Sequence, residues 1–325
     1  MAYSAAILQK AQARLAQARQ QCEQDDRQRI GAIYERLPRL RQIDLSLQRT
    51  AAKVCAAAFR AGEDPAETMR QLKEENLRLQ QERDWILESE GIDPADLERT
   101  SVCPHCGGSG YVGAVMCECL RELCRQEQKK ELSQLLGTGR ESFDRFRLDY
   151  YPAEYDPNLG ASPRELMKRV YERSVRYAQT FAPGAKSLLF MGATGLGKTF
   201  LSACIAKTVA DRGFSVCYVS AEAMFSDFEQ QKFRPREGED LTRKYLGCDL
   251  LILDDLGTEM TTQFTIAALY QVVNTRLMEG RAAIVSTNLP VGDLERRYSA
   301  QIASRLLGAY TLMKFCGQDI RLMNR

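Results

Sequence analysis

Hydrophobic and polar positions follow a regular pattern in the second half of the chain. Beyond about Ser187, short apolar runs are separated by longer stretches of helical character. Strands that alternate with helices form a parallel sheet covered on both faces, so this half predicts an α/β fold. The runs that we expect to be strands are Ser187 to Met191, Ser215 to Ser220, Leu250 to Asp254, Ala282 to Thr287 and Thr311 to Phe315.

The first 100 residues follow a helical pattern instead. They are rich in Gln, Arg, Glu, Ala and Leu, and only three prolines interrupt them. Between Met69 and Ile86, alternating spacings of three and four place residues on one face of a helix. Because Asn76 and Arg83 interrupt this face, we expect an antiparallel helical hairpin, with an intermolecular coiled coil as the alternative.

Length and composition bound the number of domains and the kind of partner. The chain has 325 residues, 44% of them hydrophobic and 27% charged, which is enough for about two globular domains. Its 45 Lys and Arg against 43 Asp and Glu give a net charge of +2, so any contact with DNA must be local. We see no secretory signal and no apolar run of about 18 residues, and we expect a cytoplasmic protein with no membrane contact.

A glycine-rich phosphate-binding pattern, GxxxxGKT, lies between the first predicted strand and a predicted helix. In this context backbone N–H groups surround phosphate oxygens, Lys198 reaches the β- and γ-phosphates, and the Thr199 hydroxyl ligates Mg²⁺. The alternative is a glycine-rich turn with a solvated lysine, which the complete motif disfavours. The expected nucleotide-binding residues are Gly192, Ala193, Thr194, Gly195, Leu196, Gly197, Lys198 and Thr199.

Polar residues follow the later strands at the edge where parallel sheets bind ligands. We expect Asp254 to hold Mg²⁺ and Asp255 to orient or deprotonate the attacking water. Asn288 follows a strand that we expect between the strand before the P-loop and the strand that ends at Asp254. Its side chain would contact the γ-phosphate or the attacking water; a simple turn is the alternative. Arg305 would enter a neighbouring subunit's site as an arginine finger, with a surface salt bridge as the alternative.

Five of the eleven cysteines lie between residues 103 and 124, which indicates a metal site rather than disulfides. The CxxC…CxC spacing suits tetrahedral Zn²⁺, and nearby glycines allow a tight turn. Four thiolates leave no open coordination position, so the predicted site is structural. The only histidine, His105, lies inside the turn and is expected to be a spectator. The expected ligands are Cys103, Cys106, Cys117 and Cys119, with Cys124 as the alternative to Cys119.

Taken together, these motifs resemble the DnaC/DnaI-type replicative helicase loaders, AAA+ ATPases close to the initiator DnaA and the transposition helper IstB. The resemblance covers roughly residues 141 to 325 and includes SFDRF, GATGLGKT, LLILDDLGTE, STNLP, ASRL and GQDIR. It implies a five-stranded parallel sheet, ATP and Mg²⁺ at a subunit interface, and transfer of single-stranded DNA to a DnaB-type hexameric helicase. It also implies that the zinc module helps to bind the helicase.

Two features depart from the usual AAA+ pattern. Asp255 stands where many AAA+ proteins have Glu, so we expect slow hydrolysis or assistance from Glu259. Only 20 residues follow Arg305, so we expect the helical lid domain to be absent or vestigial. Arg321 is a candidate for the nucleotide or interface arginine that a lid would carry, although the sequence does not locate it.

One local segment has the composition of a nucleic-acid contact. Residues Gln231 to Arg236 combine three positive charges with Phe233, which can stack on a base while the cations bind phosphate. An exposed polar loop explains the same composition equally well.

The leading hypothesis is an ATP-dependent loader of the replicative helicase onto single-stranded DNA. The predicted parts are a helical partner-binding region at 1–100, a zinc module at 101–125, a linker at 126–140 and an AAA+ core at 141–325. One rival is an IstB-like transposition helper. Another is an adaptor that uses nucleotide as a switch and hydrolyses it slowly.

Overall fold

A computed structural model describes residues 3–58, 65–135, 141–234 and 240–323. The chain divides into two compact units, Arg14–Cys117 on one side and Met1–Ala13 with Glu118–Arg325 on the other.

The first part of the chain is helical, with a small hairpin near its end. Its elements are α1 (Ala5–Arg36), α2 (Pro38–Ala58), α3 (Pro65–Glu90), β1 (Tyr111–Val112), β2 (Val115–Met116) and α4 (Glu118–Leu135). Helices and parallel strands alternate in the rest. They are α5 (Pro163–Thr180), β3 (Leu188–Met191), α6 (Lys198–Asp211), β4 (Val216–Ser220), α7 (Ala221–Phe233), α8 (Arg243–Gly247), β5 (Leu250–Leu256), α9 (Gln263–Met278), β6 (Ala282–Thr287), α10 (Val291–Tyr298), α11 (Ala300–Ala309), β7 (Thr311–Lys314) and α12 (Ile320–Met323).

Helices α2 and α3 form the antiparallel hairpin that the sequence predicts. The Arg83 Nε atom lies 2.7 Å from Oδ1 of Asp44, and the Thr50 hydroxyl donates to Oδ1 of Asn76 at 3.2 Å. The two polar residues that interrupt the apolar face of α3 therefore bind α2 within the same chain. The buried residues between the helices are Leu40, Ile43, Leu79, Ile86 and Leu87.

The five predicted strands form one parallel sheet in the order β4-β5-β6-β3-β7. Their observed ends lie within two residues of the predicted ends. Successive side chains point to opposite faces, so both faces are apolar and both are covered. Helices α5 and α6 pack on one face, and α7, α9, α10 and α11 pack on the other. The predicted α/β class and the five-stranded sheet are confirmed.

Helix α4 covers the edge strand β4. Its buried residue Gln128 donates through Nε2 to the Phe214 carbonyl at 2.9 Å and accepts from the Val216 N–H at 3.0 Å. These bonds satisfy backbone groups that an edge strand otherwise exposes. Residues 126–135 of the predicted linker therefore lie in a helix packed on the sheet, and the remaining five lie outside the described residues. The predicted division of the chain into four parts stays a prediction.

Candidate nucleotide-binding site

A cavity of about 610 Å³ opens at the carboxyl edge of the sheet, where ligands bind in folds of this kind. Its lining brings together the P-loop from Thr194 to Thr199 and the predicted residues Asp254, Asp255 and Asn288. It also contains Arg321, whose place the sequence left open. Residues far apart in sequence therefore meet at one site.

The P-loop needs glycine where the chain folds tightly over it. Gly195 has a φ of 76°, and a Cβ atom there would lie 1.8 Å from Oδ1 of Asp319. The Ile320 N–H also donates to the Gly195 carbonyl at 3.0 Å. The segment that carries Arg321 thus packs on the phosphate-binding loop and is hydrogen-bonded to it.

Lys198 lies inside this loop and is almost fully buried. Its Nζ atom donates to the carbonyls of Gly192 at 2.7 Å and Ala193 at 2.8 Å. Burial lowers the pKa of Lys198, while the carboxylates of Asp255 and Asp254 act in the opposite direction. The ammonium group is thus bonded to the loop carbonyls and also feels the carboxylates of Asp254 and Asp255 on β5.

Both carboxylate oxygens of Asp254 accept a hydrogen bond from a hydroxyl on a neighbouring strand. Tyr218 on β4 donates to Oδ2 at 2.6 Å, and Ser286 on β6 donates to Oδ1. Burial, followed by the charge of Asp254, raises the pKa of Tyr218, so the phenol keeps its proton. Sequence reasoning did not assign these two residues, although each is a polar residue within a predicted strand.

Asp255 turns away from the buried position of Asp254 and into the cavity. Its φ of 54° lies in the left-handed region, which Asp tolerates better than most residues, and its N–H donates to the Ser286 hydroxyl at 2.9 Å. Burial, then the neighbouring charge of Asp254, raises the pKa of the Asp255 carboxyl. This is the electrostatic setting of a proton acceptor.

Glu259 does not line the cavity. It is buried, and its carboxylate accepts from the Gly257 N–H at 2.9 Å and from the Tyr298 hydroxyl. One oxygen thus bonds within the loop after β5, and the other joins this loop to α10. The expectation that Glu259 assists hydrolysis therefore finds no support in its position.

Asn288 and Arg305 have different relations to the cavity. Asn288 lines it from the end of β6, which lies between β3 and β5 as expected. Arg305 does not line it. Its Nη2 atom donates to the Tyr270 hydroxyl at 2.9 Å and its Nε atom to Oδ1 of Asn274 at 3.1 Å. Arg305 is thus held on α9 of the same chain and does not line the cavity.

An aromatic wall closes the cavity on a side that sequence reasoning did not assign. Phe146 stacks on Tyr151 and Tyr171, with ring centroids 5.8 Å and 5.2 Å apart. The buried Tyr151 hydroxyl donates to the Leu196 carbonyl at 2.9 Å. Phe146 and Tyr150 line the cavity beside the P-loop. Phe146 belongs to the SFDRF segment, which is part of the family resemblance but is given no role by the sequence.

The four predicted zinc ligands converge on one point. The Sγ atoms of Cys103, Cys106, Cys117 and Cys119 lie within 4.8 Å of one another, and those of Cys103 and Cys117 are 3.8 Å apart. Tetrahedral Zn–S bonds of about 2.3 Å give sulfur separations of about 3.8 Å. The Gly110 N–H also donates to the Cys106 sulfur at 3.3 Å. The donor set fits zinc, and within the described residues neither Cys124 nor His105 joins it.

The predicted DNA segment is described only as far as Arg234. Phe233 is 63% exposed, and Lys232 Nζ lies 5.4 Å from its ring centroid and 5.1 Å from that of Phe264. Residues 235 and 236 lie outside the described residues. The part that is described presents an aromatic ring and a cation together.

Part of this chain is similar to a known protein family. Residues 166–312 match the family model described as IstB-like ATP binding protein, and this range contains the P-loop, Asp254 and Asn288. Residues 166–312, the IstB-like domain, are therefore similar to this family of ATP-binding proteins.

The relatives that match part of this chain include a helicase loader and a replication initiator. The replicative helicase loader DnaC of Buchnera aphidicola subsp. Acyrthosiphon pisum is 22% identical over 189 residues, which are 57% of this chain and 73% of DnaC. The chromosomal replication initiator protein DnaA of Zymomonas mobilis subsp. mobilis is 31% identical over 147 residues, 43% of this chain and 30% of DnaA.

Solved structures of DnaI and DnaC also align with part of this chain. A crystal structure of DnaI matches 60% of this chain and all of its own, at 21% identity and a TM-score of 0.45. A crystal structure of the DnaC helicase loader matches 54% of this chain and 98% of its own, at 19% identity and a TM-score of 0.44. None of the helices in the described ranges is long and apolar enough to span a membrane.

Proposed function

We propose that this protein is an ATP-dependent loader of a DnaB-type hexameric helicase onto single-stranded DNA. The observation that carries the proposal is the cavity that joins the P-loop to Asp254, Asp255 and Asn288, in a chain that also holds a four-cysteine cluster. The relative named as a replicative helicase loader supports the same function. Nucleotide binding would power the reaction, and the N-terminal region would bind the helicase.

The phosphate groups of ATP would lie over the N-terminus of α6. Backbone N–H groups of the P-loop would bind the phosphate oxygens, and Lys198 would exchange its two carbonyl partners for the β- and γ-phosphates. Asn288 and Arg321, which line the same cavity, would contact the γ-phosphate. The purine base would lie against Phe146 and Tyr150, because aromatic rings stack on bases.

Thr199 and Asp254 offer the oxygen ligands that Mg²⁺ prefers. When bound, Mg²⁺ neutralises charge on the β- and γ-phosphates. Tyr218 and Ser286 fix the carboxylate of Asp254 in one orientation for this task. Asp255 would accept a proton from the attacking water, and its raised pKa makes it a stronger base than an ordinary aspartate.

Assembly of several subunits would complete each site. Arg305 is held on α9 and does not reach its own cavity, which favours a role at the nucleotide of a neighbouring subunit. An arginine supplied from outside stabilises the negative charge of the transition state. We therefore propose that the subunits associate through their ATP sites.

The four-cysteine cluster would hold a structural Zn²⁺ ion. All four ligands are thiolates, so no coordination position remains for a substrate. Zinc would instead fix the short β1–β2 hairpin, which is too small to form an apolar core. We propose that this module and the α2–α3 hairpin form the helicase-binding region.

Single-stranded DNA would bind at the exposed end of α7. Phe233 and Lys232 offer the stacking surface and charge that such a ligand requires. Replacing Lys232, Arg234 and Arg236 together by Ala should weaken DNA binding and reduce its salt dependence. The exposed Lys186→Ala variant is the control, and equal salt slopes for the two proteins would refute this assignment.

The proposed function is tested by mixing the protein with the replicative helicase of its source. We expect light scattering to detect a complex that forms with ATP·Mg²⁺ and disappears when zinc is chelated. A Lys198→Ala variant separates nucleotide dependence from zinc dependence. Failure of every condition to give a complex, or a complex that transfers no helicase to single-stranded DNA, would refute the loader assignment.

The second candidate is an IstB-like transposition helper, and the family match at residues 166–312 favours it. Such a protein would bind double-stranded DNA and a transposase with the same nucleotide site. A preference for double-stranded over single-stranded DNA, with no helicase complex, would support this candidate. A nucleotide-switched adaptor would instead form the helicase complex without measurable hydrolysis.

A further inference from the structure

Arg276 is fully buried on the inner face of α9. The Arg276 guanidinium donates to the carbonyls of Tyr245 at 2.7 Å, Cys248 at 3.1 Å and Ala282 at 2.5 Å. Among the described residues, no carboxylate forms an ion pair with it. Buried charges in proteins are usually paired, so the environment of Arg276 favours an anion nearby.

The Cys248 thiol is the ionisable group placed to supply this anion. Its buried sulfur accepts from Nη1 of Arg276 at 3.4 Å, and Cys217 lines the same small cavity as Cys248. Burial opposes ionisation, but the neighbouring Cys217 thiol and the charge of Arg276 outweigh it and lower the pKa of Cys248 to about 7. The neighbouring Cys248 sulfur in turn raises the pKa of Cys217, which keeps its proton.

Other charged groups around the pair have opposing effects. Lys244 on α8 favours an anion at Cys217, whereas Glu131 on α4 disfavours one. Asp249 disfavours ionisation of Cys248. Arg276 is in direct contact with the Cys248 sulfur, so its effect is the strongest of the cationic contributions there.

A small cavity lies beside the two cysteines. It measures about 40 Å³ and is lined by both cysteines together with Tyr3 and Ile7 from the start of the chain. One water needs about 10–15 Å³ of such volume, so the cavity admits a molecule the size of hydrogen peroxide but not a bulky reagent. Cys217 is half-buried and Cys248 is buried, so Cys217 is the more accessible of the two residues.

We propose that Cys217 and Cys248 form a peroxide-reactive thiol pair in the nucleotide-binding unit, with Arg276 as the counter-ion of the Cys248 thiolate. This site is distinct from the four-cysteine cluster and from the nucleotide cavity. Its ligand class is a small hydroperoxide, and its product is an intramolecular disulfide.

The chemistry proceeds in two steps. The Cys248 thiolate attacks one oxygen of hydrogen peroxide, forming an S–O bond as the O–O bond breaks, and hydroxide leaves. The Cys217 sulfur then attacks the Cys248 sulfur, forming the S–S bond as the S–O bond breaks, and the Cys217 proton leaves with that oxygen as water. The two sulfurs lose two electrons, and peroxide gains them.

The pair stands beside a residue of the nucleotide site. Cys217 precedes Tyr218, which holds Asp254 through a 2.6 Å hydrogen bond. A disulfide at Cys217 would restrain β4 at this point. Oxidation should therefore slow ATP hydrolysis, an expectation that rests on the proposed function. The thiol chemistry itself does not depend on that function.

Peptide mapping of the full-length zinc-loaded protein tests the proposal. Hydrogen peroxide should link the Cys217 and Cys248 peptides with a loss of 2 Da, and the rate should rise about tenfold between pH 6 and pH 8 as the thiolate forms. Cys204 is the internal reference, because burial raises its pKa to about 12, and it should react at least about tenfold more slowly. Cumene hydroperoxide, which exceeds the cavity, should also react more slowly than hydrogen peroxide.

A variant distinguishes the two steps. In Cys217→Ser, Cys248 should gain 16 Da and no cross-link should form. Oxidation of Cys248 no faster than Cys204, or a rate that does not change between pH 6 and pH 8, would overturn the proposal. If Cys217→Ser fails to fold, the cross-link in the natural protein and its pH dependence still decide. Loss of ATP hydrolysis alone would not count as support.

Discussion

The Tyr218 hydroxyl on the edge strand β4 donates a 2.6 Å hydrogen bond to Oδ2 of Asp254, the carboxylate at the end of β5. Tyr218 also lines the cavity. Ser286 from β6 binds the other oxygen, so three adjacent strands fix one side chain. An orientation set from both sides leaves Asp254 little freedom to rotate, which is what a ligand for a geometrically demanding ion requires.

Removing the Tyr218 hydroxyl should weaken the response to Mg²⁺. In Tyr218→Phe, Asp254 loses one of two hydrogen bonds, and a bond to a charged group contributes about 1.5–3 kcal/mol. We expect about a tenfold higher Mg²⁺ concentration for half-maximal hydrolysis. Tyr155→Phe, an exposed change at a residue that does not line this cavity, is the control. An unchanged Mg²⁺ dependence in Tyr218→Phe would contradict the orienting role.

Asp255→Asn should separate stability from hydrolysis. Because burial and Asp254 raise the pKa of Asp255, its charged form is disfavoured in the folded protein, and this cost grows as pH rises from the pKa of an ordinary aspartate to the raised pKa. The Asn variant should therefore melt at a higher temperature than the natural protein at pH 8, and the difference should shrink towards pH 4.

The Asp255→Asn substitution should slow ATP hydrolysis even though it raises the melting temperature. Without the proton acceptor, Asp255→Asn should hydrolyse ATP at least about 100-fold more slowly while still binding it. In the natural protein the rate should fall as pH drops through the raised pKa of Asp255. A variant that keeps its hydrolysis rate would remove Asp255 from the mechanism.

Mixing two inactive variants tests whether Arg305 acts between subunits. An Arg305→Ala subunit has an intact P-loop, and a Lys198→Ala subunit has an intact Arg305, so their mixture can form complete sites. We expect hydrolysis to return in this mixture. In contrast, Arg321→Ala mixed with Lys198→Ala should stay inactive, because Arg321 lines the cavity of its own subunit. Rescue in both mixtures, or in neither, would contradict this division of roles.

Zinc content should distinguish Cys119 from Cys124. Cys119 belongs to the four-sulfur cluster, whereas burial raises the pKa of Cys124 to about 11 and disfavours its thiolate. Elemental analysis of the purified protein should find one Zn²⁺ per chain. Cys124→Ser should retain it, and Cys119→Ser should lose most of it during dialysis against a chelator. The reverse result would make Cys124 the fourth ligand.

Much of the site could be predicted because its parts are short and continuous. The P-loop needs glycines next to Lys198 in a fixed spacing, and Asp254 and Asp255 directly follow an apolar strand. Parallel strands bring their carboxyl ends to one edge, so the sequence also predicts that these groups meet. The spacing of the four cysteines is likewise visible in the sequence.

Other parts depend on contacts between distant residues. Glu259 lies four residues after Asp255, yet a bond from Tyr298 holds it outside the cavity. Arg321 is 123 residues beyond Lys198 in sequence and enters the cavity only because its segment folds over Gly195. Neither arrangement has a local pattern that a sequence can reveal.

The sequence by itself determined the parallel α/β fold, the helical hairpin and the phosphate-binding loop, because periodicity and local spacing specify them. Tertiary structure alone decided that Tyr218 and Ser286 hold Asp254, and that Cys248 lies against Arg276. These pairs join separate elements whose register is set by packing of the whole core. A side chain's ionisation and orientation follow from such neighbours, and the order of residues along the chain does not name them.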